Sequence, residues 1–173
     1  MKKPLFLLAL AALPFLCLAQ SKAINDFYNK YSQDEHFLDI KLSGGLLNLV
    51  ASKTDNEDDK RVIKKITSLR ALVLEEGHSV KKEDYAKLLR SAKADSFEEL
   101  IKVREGTDNI EILIREKGNA ISHVLLLVNG EDKFVLLSVE GLLQFSDLND
   151  IHIDVEGIDW FRKVPERRGR RKA

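Results

Sequence analysis

Cysteine is nearly missing from this chain. Among 173 residues there is one, Cys17, and it lies in the first twenty. If that stretch is removed on export, no disulfide, thiol nucleophile or thiolate metal site can form. Long apolar runs are also missing, with one exception. Leu5 to Leu18 is apolar over 14 residues, too short for a comfortable membrane span. Net charge is missing as well: 28 basic residues balance 28 acidic ones.

The apolar run has the anatomy of an export signal. Lys2 and Lys3 form a basic start, and Cys17-Leu18-Ala19 offers small residues at the third-last and last places. Cleavage after Ala19 is therefore expected, giving a periplasmic or secreted chain from Gln20 onward. A lipid anchor at Cys17 fits poorly, because Leu16 stands where a small residue is wanted.

The neutral total hides an uneven distribution. The last twelve residues hold seven basic and one acidic residue, and the leader holds two basic ones. Setting both ends aside leaves 19 basic and 27 acidic residues, so the body is acidic and the tail basic. An acidic body argues against nucleic acid as the main partner. The tail, 165–173, is expected to be disordered, and any membrane contact to be transient or through that tail. The domain plan is a signal at 1–19, one domain at 20–164 and the tail.

Hydrophobic content of 44% is enough for a packed single domain at this length. Ile24, Phe27, Tyr28 and Tyr31 recur at helical spacing and predict an amphipathic helix over 21–33. Leu38, Ile40 and Leu42 alternate with Asp39 and Lys41, which predicts a strand over 36–43. Gly44-Gly45 should break it before a short helix. A helix over 61–67, capped by Asp58 or Asp59, should precede a strand over 68–76. Residues 81–94 predict a helix with Tyr85, Leu88 and Leu89 on one side. Four strands follow, near 97–104, 109–117, 120–128 and 133–141, and a helical end near 146–150 and 157–164. This is an α+β fold: a mixed or antiparallel sheet of about six strands, a C-terminal β-meander, and helices mainly on one face.

The hairpin HVLLLVNGEDKFVLLSVEG is the densest apolar segment. Its turn is expected at Asn129-Gly130. One face should carry Val124, Leu126, Val135, Leu137 and Val139. The other should carry His123, Leu125, Leu127, Phe134, Leu136 and Ser138. A half-wet sheet alternates more strictly, so both faces should be covered, by helices or by a partner.

Together with FYNKYSQDEHFLDIKLSGGLLNLVAS, ITSLRALVLEE, IEILIREKGNAISHVLLLV and Gly141, that hairpin resembles the family known as domain of unknown function four-two-five-two. The family comprises exported bacterial proteins, mainly of Bacteroidota. The resemblance implies export, one domain and an α+β fold, and it carries no catalytic residues over.

The search for chemistry ends without an assignment. His36, His78, His123 and His152 show no spacing that places two ligands on one helix face. Asp55, Glu57 and Asp59 begin like a calcium loop, but Lys60 and Ile66 stand where glycine and glutamate are required. Ser43-Gly44-Gly45 is neither a nucleophile elbow nor a phosphate loop, and Ser138 has no partner at a motif distance. Glu75-Glu76 and Glu98-Glu99 would point to opposite faces of a strand. No catalytic, cofactor-binding or metal residue is assigned, and no cofactor. The expectation is a non-enzymatic cell-envelope domain that contacts a protein or itself. The alternative is a small-ligand or lipid-binding module with a pocket between helices and sheet. An enzyme whose polar groups converge only in the fold is a third class.

Overall fold

A computed structural model describes residues 22–74, 78–131 and 133–150. The element order is α1 (Lys22–Tyr31), β1 (Phe37–Ser43), α2 (Gly44–Lys53), α3 (Glu57–Lys65), β2 (Ile66–Leu74) and α4 (Lys82–Ala94). Then come β3 (Glu98–Glu105), β4 (Asp108–Lys117), β5 (Ala120–Asn129), β6 (Phe134–Leu143) and α5 (Phe145–Asp150). The strands form one open antiparallel sheet in the order β1-β2-β6-β5-β4-β3. Strands β3 to β6 are the expected meander, and the antiparallel β1–β2 pair, joined through α2 and α3, adds to its β6 side. The expected signal at 1–19, Cys17, Glu75-Glu76, His152, the 157–164 segment and the basic tail lie outside the described residues.

The two sides of the sheet bury separate clusters. On the first side, Leu113, Leu125, Leu127, Leu136 and Phe134 meet Ile24, Phe27, Tyr28 and Tyr31 of α1 and Leu88 and Ala92 of α4. The helical spacing of the α1 residues puts all four on that contact face. Tyr28 is buried with its hydroxyl satisfied: it donates to the Arg70 carbonyl at 2.9 Å, with the Leu136 carbonyl at 3.3 Å. Burial pushes that phenol well above its ordinary range, so it stays a donor. Asp84 of α4 ties α1 down by accepting from Lys30 and from the Tyr31 hydroxyl. Those two bonds, Lys30 first, hold the Asp84 carboxyl below its usual range.

On the second side, Ile110, Ile112, Ile114, Val124, Leu126, Val128 and Val139 form the other cluster. Helical side chains from Val62 of α3 and from Phe145 and Leu148 of α5 join it. The faces of the β5–β6 hairpin are thus divided as its alternation predicts, and both are apolar. Asp147 fixes the short α5: it accepts from the Gln144 amide at 2.6 Å and from Lys65 at 2.6 and 2.8 Å.

Several local features differ from the sequence reading. Helix α3 starts at Glu57, and its cap is Asn56, whose Oδ1 accepts from the Asp58 and Asp59 amides. Asp58 and Asp59 sit instead in the first turn, where their charge suits the positive helix end. Gly44-Gly45 does not separate β1 from α2 but opens the helix. Asn129-Gly130 begins a longer loop, closed by the Gly130 amide donating to the Lys133 carbonyl at 2.9 Å. Gly130 is not left-handed there. A Cβ there would stand 2.3 Å from Asp108 Oδ1, so a larger residue would have to turn that carboxylate aside.

Candidate functional site

One polar cleft opens on the first side, beside α1. Ile24, Asn25 and Tyr28 line it from the helix, and Ser68, Arg70, His123, Ser138 and Glu140 from the sheet. Register places these together: His123 and Ser68 each oppose Glu140, and Arg70 opposes Ser138. The His123 Nε2 atom lies 2.9 Å from Glu140, and its Nδ1 lies 2.8 Å from an Arg115 guanidinium nitrogen. A guanidinium can only donate, so Nδ1 accepts and Nε2 carries the proton toward Glu140. Both ring nitrogens are then engaged, and none is left to take a proton from Ser138. The ring edge also rests on Phe97, which Arg115 covers from 5.1 Å. Open volume in the cleft is about 10 Å³, room for about one water. A small-molecule site needs roughly 300 Å³ or more. The constellation therefore staples β4, β5 and β6 beside their bulges.

A second buried group lies under α4. Glu111 of β4 accepts from Lys102 at 2.8 Å through one oxygen. The other oxygen and the nearby Tyr85 hydroxyl have no hydrogen-bond partner. Burial first, and the Glu111 charge second, push the Tyr85 phenol upward, so it remains protonated. A slight rotation would let it donate to Glu111. The two unsatisfied atoms belong to groups close enough to interact, and the Glu111 charge acts on the Tyr85 phenol.

The remaining sequence candidates disperse. His36 and His78 do come together, with ring centroids 3.6 Å apart, stacked, and Glu35 at 3.9 Å from His36. No group of three potential metal ligands forms among the described residues. Glu57 and Asp59 lie on α3, where Glu57 pairs with Lys60 at 2.9 Å, so no calcium loop exists there. Ser43 precedes α2 without a side-chain cap bond. Glu98 and Glu99 lie on the outer strand β3.

What stands out is a surface. Six large apolar side chains are exposed among the described residues, and five lie between Leu38 and Val50. Leu38 and Ile40 belong to β1 and are 55% and 39% exposed; Leu46, Leu49 and Val50 belong to α2 and are 44–57% exposed. Helix α2 buries Leu47 and Ala51 and turns the Leu46–Leu49–Val50 stripe outward. Leu38 and Ile40 are on the second side of the sheet, since their neighbours Phe37 and Asp39 face the first. Sequence reading places Leu38 and Ile40 on one strand face but misses their exposure, because β1 becomes an edge only through the sheet order.

The two edges of the sheet differ. Outer strand β3 carries exposed Glu98, Glu99, Lys102 and Arg104 and is bulged between Glu99 and Ile101. Charges and bulges of this kind block further pairing. Strand β1 pairs with β2 over all seven residues without a shift, so its outer side is regular.

A family model described as Domain of unknown function (DUF4252) matches residues 31–151. No curated protein and no solved structure gives a match.

Proposed function

With the chain belonging to the DUF4252 family, whose description names no activity, we propose that it is an exported cell-envelope domain that works by protein contact. The observation that carries this is the grouping of exposed Leu38, Ile40, Leu46, Leu49 and Val50 on one edge strand and the helix that follows it. Contiguous apolar surface is costly to leave in water and marks contact sites. A strand edge without a bulge beside it offers backbone hydrogen bonds to the same partner. The partner is a protein with an apolar face and a free backbone edge. Export rests on Lys2, Lys3, the Leu5–Leu18 run and the Cys17-Leu18-Ala19 end. No described helix is long and apolar enough to cross a membrane.

Chain recovered from envelope extracts should begin at Gln20 and sediment faster than its monomer. Leu49→Glu, at an exposed position, should return it to the monomer without changing its circular dichroism. A wild-type chain that sediments as a monomer and carries a small molecule in native mass spectrometry would favour the ligand-binding reading and defeat this one.

A further inference from the structure

We infer that the partner at the β1 edge is a second copy of the same chain, paired strand to strand about a two-fold axis through Ile40. The inference rests on the interaction reading of the β1–α2 surface and names its occupant. Strand β1 reads Phe37-Leu38-Asp39-Ile40-Lys41-Leu42-Ser43. Laid antiparallel on itself about Ile40, it sets Asp39 against Lys41, Leu38 against Leu42, Ile40 against Ile40 and Phe37 against Ser43. Opposite charges meet twice on the first side, and apolar side chains meet on the second. Directly opposed residues in an antiparallel pair share a face, so this register satisfies both faces at once.

Lys41 supplies an independent reason. Within its own chain it stands opposite Arg70 in the β1–β2 ladder, a like charge. The carboxylate nearby, Asp39, is engaged by Arg70 through two bonds, at 3.0 and 2.7 Å. Among the described residues no hydrogen bond or ion pair holds Lys41. A second copy brings another Asp39 to its outer side. The seven-residue strand is about 24 Å long, and by itself buries less than a stable dimer needs. The remaining area is asked of helix α2. It begins at Gly44, one residue past Ser43, which this register sets against Phe37 of the other copy. The Leu46–Leu49–Val50 stripe, exposed on this helix, is the nearest apolar surface available to extend the contact. The result is an isologous dimer in which two six-stranded sheets become one.

The test is sedimentation velocity of the full chain over a concentration series, with Lys41→Glu, Asp39→Lys and their equimolar mixture. Wild type should dimerise. Lys41→Glu, which breaks no described bond within the chain, should raise the dissociation constant about tenfold, because two attractive pairs become repulsive. The mixture should recover pairing, since Asp39 then meets Lys41 and Glu at 41 meets Lys at 39. If Asp39→Lys loosens the fold by freeing Arg70, seen by circular dichroism, Lys41→Glu alone decides. A wild-type monomer at every concentration, or a dimer indifferent to Lys41→Glu, overturns the inference. A monomer in isolation that still forms a Leu49-dependent species in envelope extracts defeats self-pairing and leaves the interaction reading standing.

Discussion

Gly141→Ala is expected to lower folding stability by about 3 kcal/mol, the upper range for overpacking a tight site. A Cβ at this position would stand 2.3 Å from the Lys65 carbonyl oxygen and 3.1 Å from the Ile66 Cα. Both obstacles are backbone, so no rotamer change relieves the clash. The contact lies where the β2–β6 ladder shifts register between Ile66 and Ser68. It also lies where α3 ends at Lys65, whose ammonium reaches Asp147 of α5. Pushing β6 away there should loosen α3 and α5 together on the second side. Gly45→Ala is the control: nothing stands within 4 Å of its Cβ, and alanine favours the helix, so stability should hold or rise slightly. Urea unfolding of both variants checks the contrast.

Phe134→Ala should cost about 4 kcal/mol. Phe134 is buried where α1, β1 and α4 meet the sheet. Its ring lies 5.5 Å from Phe27, 6.5 Å from Phe37 and 6.4 Å from Tyr85, centroid to centroid. Removing it opens a hole bounded by rings from three elements, and rings fill such a hole poorly. Phe134→Leu keeps most of the volume and should cost much less. The alanine variant should also lose near-ultraviolet circular dichroism from the aromatic cluster. Equal stability of the two variants would show that this cluster does not hold α1 to the sheet.

The fold was largely legible because its signals are local. Alternation in Ile110, Ile112 and Ile114 and in the β5–β6 hairpin assigned side chains to faces without any knowledge of neighbours. The spacing of Ile24, Phe27, Tyr28 and Tyr31 did the same for α1. Register was not legible. A two-residue turn at Asn129-Gly130 would set His123 against Leu136, whereas the longer loop sets it against Glu140. That shift of four residues separates a chance core histidine from the Arg115–His123–Glu140 staple. Two bulges, between Arg115 and Glu116 and between Ile121 and His123, also intervene, and no residue type announces them. The cap at Asn56 escapes the sequence reading because Asp58 and Asp59 follow it, each an acceptable cap by type.

The candidate surface was half legible. Leu38, Ile40 and Leu42 read as one apolar strand face, and such a face is ordinarily core. Only the sheet order shows that β1 is an outermost strand, and only the packing of Leu47 and Ala51 shows which stripe of the following α2 is left open. The opposite lesson holds for the polar candidates. His123 and Ser138 are brought into one cleft, yet the Arg115 bond takes the nitrogen a catalytic pair would need.

The central claim is that the Leu38–Val50 surface meets protein in the cell. Its most direct test is photo-crosslinking in living cells from a probe placed at Leu46, with the exposed Lys87 of α4 as the control position. The account predicts a discrete protein adduct from position 46, at twice the chain mass if the partner is a second copy, and none from position 87. No protein adduct at position 46, or equal adducts from both positions, would contradict it.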